Sequence, residues 1–291
     1  MKYIKNFIVL AFMAVVWQVN PASGAGTTGG RILQINTLSR VAGVGDAYTA
    51  RANDVAAVTF NPAALNRIYG PEVEFSHNRY LLDTYLSAGT GVYKWGNLGL
   101  GIQWKQFSSP ETYRDEYGKN EESFNNEFTQ VTMAAGFPLS QRVSAGFGVK
   151  SINEDLYNTS DSALTVDAGV HIVGYRGDTY GIVVKNMGGN LEHVTEDSDT
   201  DTRLILAGAH SMGNFIFSWD LIRASEFDLG WRAGMEGQFF GVNLRTGVRY
   251  EHAPDFTLGF GIPYGRWTLD YAFSPHRDLG GAHRMSLGAL F

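Results

Sequence analysis

The chain has 291 residues, no cysteine, 35 glycines, 13 % aromatic residues and a formal net charge of −6. The missing cysteines exclude disulfides, thiolate metal sites, a cysteine nucleophile and an acylated N-terminal cysteine, and the acidic balance without a Lys/Arg cluster argues against nucleic acid as a partner. Hydrophobic residues make up 44 % of the chain, yet mean hydropathy is only −0.14, so the apolar residues are dispersed, as alternating strands disperse them.

Residues 1–25 have the pattern of a signal peptide: Lys2 and Lys5 precede an apolar run from Phe7 to Trp17 that is too short to span a bilayer as a helix, and Ala22-Ser23-Gly24-Ala25 offers a small-residue cleavage site. Residues 26–70 are expected to be helical or coiled. Val41 to Ala50 carries Gly43 and Gly45, Asp54 is placed to cap a turn at Val55–Val58, and Asn61 stands before Pro62 as a capping residue stands before a proline at the first helical position. Each piece is too short to be stable alone, so the segment needs a container.

From residue 71 onward the period is two. Fourteen candidate strands lie near 72–79, 85–95, 97–107, 127–137, 142–155, 163–173, 178–187, 203–211, 214–222, 229–239, 242–250, 255–262, 265–274 and 283–291. In the tenth, Trp231, Ala233, Met235 and Phe239 alternate with Arg232, Glu236 and Gln238; in the thirteenth, Trp267, Leu269, Tyr271 and Phe273 alternate with Thr268 and Asp270. The last sets Met285, Leu287, Ala289 and Phe291 against Arg284, Ser286 and Gly288, and needs a partner edge. The first strand supplies it, near Val73 and Phe75.

Loop lengths decide between a barrel and a sandwich. Gly96-Asn97, Pro138–Gln141, Tyr175–Gly177, Met212-Gly213, Phe240-Gly241 and Pro263-Tyr264 are expected as tight turns on one side, whereas Ser108–Glu127 and Gly188–Thr202 form long acidic loops on the other. Short periplasmic turns and long outer loops are the rule for outer-membrane barrels. The predicted fold is all-β: a 14-stranded antiparallel transmembrane β-barrel over residues 71–291, with a short N-terminal helical hatch, residues 26–70, in its lumen.

Register puts Glu74, Lys105, Lys150, Asp167, Asp220, Arg232, Glu236, Arg245, Arg249, Asp270 and Arg284 on the inward face. A wet lumen with mixed, paired charges explains most of them; Arg232, Arg245 and Arg249 are the candidate anion contacts, with Glu236 and Asp270 as further lumen contacts. No HExxH, GxSxG, SxxK or phosphate-binding loop pattern occurs, so no catalysis, cofactor or metal is expected. The acidic loops at Glu111–Glu122 and Glu192–Asp201 suit a solvated face, a calcium ion or a protein partner.

Residues 39–65, SRVAGVGDAYTARANDVAAVTFNPAAL, resemble the opening motif of the PorV/PorQ family and of the wider FadL-type outer-membrane proteins. The matching parts are Gly43, Gly45 and Asp46, the pair Asn53-Asp54, and Asn61-Pro62-Ala63; Tyr271-Ala272-Phe273, Asp278-Leu279-Gly280 and His283–Leu287 look like the family's ending. Asn53 stands where the family has an acid, and Ala64 where it has glycine. The resemblance implies an outer-membrane barrel with a lumenal hatch, embedded in outer-membrane lipid. It also implies one of two roles: association with type IX secretion, with secreted cargo or secretion-system proteins as partners, or passage of a hydrophobic small molecule. Leu81, Leu82, Tyr157 and Phe227 are the candidate apolar contacts for a protein on the outer loops.

Overall fold

Alternating strands on a chain this long close on themselves. The computed structural model describes residues 31–79, 84–114, 121–156, 159–193, 196–225, 229–251, 253–276 and 280–291, and the expected signal peptide lies outside them. Among the described residues sixteen strands are present: β1 Glu72–Arg79, β2 Tyr85–Trp95, β3 Leu98–Arg114, β4 Glu121–Pro138, β5 Val143–Leu156, β6 Thr159–Val173, β7 Thr179–Met187, β8 Asn190–His193, β9 Glu196–Asp199, β10 Arg203–Met212, β11 Phe215–Ala224, β12 Gly230–Phe239, β13 Val242–Tyr250, β14 Pro254–Tyr264, β15 Trp267–His276 and β16 Gly280–Leu290. Fourteen of them form a closed antiparallel barrel, with β7 paired to β10 and β1 to β16; β8 and β9 form a separate hairpin. Closure follows the expected register, Val73 opposite Ala289 and Phe75 opposite Leu287, and the Phe291 amide donates to the Pro71 carbonyl at 2.8 Å.

The two faces separate as the period of two requires. Phe75, Ile102, Met133, Phe147, Leu221, Trp231, Leu258, Leu269 and Leu287 are exposed on the outside, whereas Glu74, Lys105, Lys150, Asp167, Asp220, Arg245, Asp270 and Arg284 are buried inside. Trp95, Tyr175, Phe240, Tyr264 and Phe291, all highly exposed, ring the mouth that carries the short turns, an aromatic girdle at a membrane boundary. Two-residue turns there follow hairpin chemistry. Gly96, Gly213 and Gly265 have φ of 61°, 63° and 60° at the first turn position, and Phe240-Gly241 has positive φ at both.

Several boundaries differ from the sequence expectation. The 108–127 stretch is mostly strand, because β3 and β4 stay paired out to Arg114 and Glu121; the 188–202 stretch contains the β8–β9 hairpin. The turn expected at Pro263-Tyr264 is at Gly265-Arg266, and Pro263 is part of β14. β13 ends its pairing at Gly261, so the missing Pro263 N–H breaks no ladder bond. Among the described strand pairs one is irregular: between β6 and β7 the register slips between Val166 and Ala168, with Asn186 at φ 57°. The Asp167 carboxylate bridges this bulge, accepting from the Asn186 amide and from Lys150 Nζ, each at 2.8 Å.

From Leu33 to Ile68 the N-terminal segment lies inside the barrel, and Tyr69 emerges exposed at the inner rim. A 3-10 turn at Arg31–Gln34, helices at Ser39–Gly43 and Ala57–Phe60, and a 3-10 stretch at Pro62–Arg67 follow one another. The main hydrophobic cluster of the protein belongs to this segment: Leu38, Val41, Val44, Tyr48, Val55, Val58, Phe60, Leu65 and Ile68, joined from the wall by Val92 and Ala134. Asp54 accepts from the Ala56 amide at 3.0 Å, and Asn61 accepts from the Ala63 amide at 3.2 Å as the cap of the 3-10 stretch.

Glycines in the wall let this segment approach the backbone. A Cβ on Gly99 would overlap the Leu65 carbonyl, one on Gly146 the Pro62–Ala63 peptide, and ones on Gly234 and Gly247 the backbone of Val44 and Gly45. Gly146→Val is therefore expected to lower stability by about 1–3 kcal/mol through overpacking. Urea unfolding of lipid-reconstituted protein measures the loss, and Phe147→Val, on the lipid side of the same strand, is the control expected to cost less.

Candidate functional site

The lumen, where charge, hydrogen bonding and a buried apolar patch meet, is the candidate site. The lumenal segment is fastened to the wall at several heights. Asn61 Nδ2 donates to the Thr49 carbonyl at 3.2 Å and to the Val170 carbonyl of β6 at 3.3 Å. Thr49 Oγ1 donates to Asp220 at 2.6 Å, Asn78 Nδ2 to the Thr37 carbonyl at 2.9 Å, and the His171 ring contacts the Ala50 carbonyl at 3.0 Å.

Charges of the segment and the wall interlock. Glu236 is held by Arg51, by Arg245 at 2.5 Å and by Arg40 at 3.4 Å; Arg245 also meets Asp270. Arg40 reaches Asp54 at 3.2 Å, and the Tyr48 hydroxyl donates to the same carboxylate at 2.7 Å. The Arg51 guanidinium lies 5.1 Å from the centre of the Tyr48 ring. Higher in the barrel, Arg249 bridges Asp46 at 2.6 Å and Asp255, and Arg232 meets Glu251 at 2.5 Å. Each of the three arginines expected as anion contacts thus faces a carboxylate, and their arrangement is that of a structural network.

The expected hatch residues divide by role. Gly43 and Gly45 lie against the inner wall, at Arg245 and at Val248. Asp46 and Asp54 anchor ion pairs; Pro62 and Ala63 sit on Gly146; Asn53 lines the inner-mouth cavity. On the closing strand, Arg284 points inward and donates to Ser274 Oγ at 2.8 Å, Leu287 faces lipid, and Phe291 ends at the inner rim. Leu81, Leu82, Tyr157 and Phe227 lie outside the described residues.

Two of the cavities around the segment lie at its inner and outer sides. One at the inner mouth, about 640 Å³, is lined by Arg51, Asp54, Arg67, His171, Ala209 and Leu290 among others. One on the outer side, about 40 Å³, lies between Leu33–Thr37 and Lys105, Lys185 and Arg232, room for no more than a few waters. Above it sits a feature that the sequence reading missed. Phe128 and Ile152, on the inward face of β4 and β5, are buried together with Leu33, and Phe107 and Ala163 pack against them. The sequence signal was present: both residues occupy polar-face positions in register.

The ion pairs carry a pH signature. Burial pushes the Asp46 carboxyl up, but Arg249, Arg232, Arg284 and a hydrogen bond from Asn36 outweigh it and hold the group below its ordinary value of 3.8. A folded-state value below the unfolded one gives stability that is present above about pH 4 and lost as pH falls through the folded value. Asp46 has φ 60°, which Asn tolerates. Asp46→Asn is therefore expected to lower the unfolding midpoint by a constant amount between pH 5 and 8, with the difference from wild type shrinking below pH 4; a pH-independent difference would show that the ion pair contributes nothing.

Comparison with known proteins supports the same architecture. The structure is similar to the Pseudomonas putida toluene transporter TodX, at 11 % identity and a TM-score of 0.66 over 94 % of this chain and 98 % of that one. It is also similar to the CymD monoaromatic hydrocarbon channel, at 12 % identity and a TM-score of 0.63 over 87 % of this chain and 99 % of that one. At these identities the shared property is the fold, an outer-membrane-type barrel. No curated protein sequence matches. Residues 11–221, well over half of the chain, match the family described as "Uncharacterised protein family (UPF0164)", and the chain belongs to that family.

Proposed function

We propose that this protein is a FadL-like, non-enzymatic transporter that passes a hydrophobic compound across the outer membrane, with residues 26–70 as its hatch. The observation that carries this reading is the apolar patch of Phe107, Phe128, Ile152 and Ala163 on the inner wall near the outer mouth, covered by Leu33. Lumens of open pores are polar. An apolar surface there gives an apolar solute a place to leave water, at roughly 25 cal/mol per Å² of surface buried. Leu33 occupies that place in the closed state, and its withdrawal frees it.

The bulge between β6 and β7 adds support. A lateral exit needs a weakened ladder, and here one backbone step of pairing is replaced by the Lys150–Asp167–Asn186 cluster. The fold shared with two hydrocarbon channels agrees with the proposal. The other role implied by the sequence resemblance, binding secreted cargo, has no comparable observation behind it.

Two measurements test the reading. Uptake of labelled toluene and of a labelled long-chain fatty acid by cells expressing the protein should exceed that of vector controls, and Phe128→Asp should lower it about tenfold by placing a charge on the apolar patch, with heat-modifiable gel mobility showing that the barrel still forms. Uptake equal to vector controls sinks the transporter reading. In the second, Asn61→Ala removes the cap, the contact with the Thr49 carbonyl and the wall contact with Val170, a loss of about 1–3 kcal/mol in seating the segment; liposome swelling with small sugars should become faster. An unchanged rate means that the segment does not plug the lumen.

A further inference from the structure

Among the described residues, the outer surface of the barrel carries a group of polar side chains at the edge of its apolar band on β1, β2 and β16. In register, Arg79 of β1 lies between Tyr85 of β2 and His283 of β16, and one step inward His77 lies between Ser87 and Met285. Arg79, Tyr85, His77 and His283 are all exposed, and the alternation of β1, with Phe75 outside and Glu74 and Ser76 buried, directs the odd-numbered side chains to the lipid side.

Towards β2 to β4 the band ends at this level, while on the β16 side Met285, Tyr271 and Phe273 carry it about one rung further. On the rung of Phe75, the partners running across β2 to β4 are Gly89, Trp104 and Val131; on the rung of His77 they are Ser87, Gln106 and Thr129. The side chains are therefore placed where acyl chains give way to headgroups, on the mouth opposite the short turns.

Contacts hold the imidazoles in place. His77 Nδ1 is 2.9 Å from Ser87 Oγ, and its ring stacks on Tyr85 with centres 5.8 Å apart. His283 Nδ1 is 2.7 Å from the Tyr271 hydroxyl, and its ring centre is 5.0 Å from that of Phe273. With each hydroxyl donating to Nδ1, the corresponding tautomer keeps an Nε2–H for an acceptor. A guanidinium, two imidazole N–H donors and a tyrosine hydroxyl at headgroup level match a phosphate, whose oxygens accept charge-assisted hydrogen bonds.

We propose that Arg79, His77, His283 and Tyr85 form a binding site on the lipid-facing wall for a terminal phosphomonoester headgroup of an outer-leaflet lipid. The site is separate from the lumen and does not depend on what the lumen conducts. Arg79 supplies the fixed charge; the rings supply donors and an interfacial anchor.

Native mass spectrometry of the full chain in a neutral detergent tests the proposal, with phosphatidic acid and phosphatidylcholine of identical acyl chains as probes. Wild type should bind phosphatidic acid about tenfold more tightly than phosphatidylcholine, the effect of one charge-assisted contact. Arg79→Gln should reduce the preference to under about threefold, and the double variant His77→Gln/His283→Gln should lower it while leaving part of it. Arg223→Gln, a change on the distant β11, should leave the preference intact. Equal binding of the two lipids, or Arg79→Gln and Arg223→Gln lowering the preference alike, overturns the proposal. So does full competition by millimolar inorganic phosphate, which would indicate a free-anion site. Heat-modifiable mobility confirms that each variant is folded; should Arg79→Gln fail that check, Arg79→Lys, which keeps the charge but not the fork, replaces it with a partial loss expected.

Discussion

The hydrogen-bonded seam between β1 and β16 is the constraint from which the rest follows. Unpaired backbone groups in a hydrocarbon layer cost several kcal/mol each, so a sheet in a membrane must have no edge. The eight paired positions from Glu72–Leu290 to Arg79–His283 remove that edge. Once the wall is closed, period-two alternation gives every strand one lipid face and one lumen face. Charged side chains can then stand in the middle of a membrane protein, shielded from lipid by the wall itself.

A closed wall of fourteen strands encloses more space than its own side chains fill. The N-terminal segment fills it by two complementary means. Glycines on the inner wall admit its backbone, while Arg40, Arg51 and Asp54 interlock with Glu236, Arg245 and Asp270. Buried ion pairs contribute little net stability but are costly to break singly. The network therefore favours one seated position over many partly seated ones, which suits a segment whose helices, at five and four residues, could not hold their own shape.

The proposed passage depends on exchanging one apolar contact for another at Leu33, Phe128 and Ile152. The patch lies near the outer mouth, the bulge opens the ladder lower down, and the larger cavity faces the inner mouth. Between these points the seated segment separates the two sides. A solute that stays apolar throughout need not cross the charged centre if it leaves through the wall.

The barrel is legible in the residues alone. Alternation in strands such as Trp231–Phe239 and Trp267–Phe273 is set by local pattern, and the sorting of short turns from long connections needs only counting. Alternation also identifies most inward charges, because register on a strand fixes the side of every residue. What those charges do depends on the partners that folding sets against them. Arg232, Arg245 and Arg249 looked available for an anion when read strand by strand, and became structural once Glu236 across the β12–β13 hairpin, Glu251 just past β13 and Asp46 of the lumenal segment met them. The Arg79–His283 pair joins strands far apart in the chain, and the apolar patch of the consecutive strands β3 to β6 is completed only by Leu33 of the lumenal segment. Periodicity reports the face a side chain occupies; the neighbours it meets there depend on closure, which no local pattern encodes.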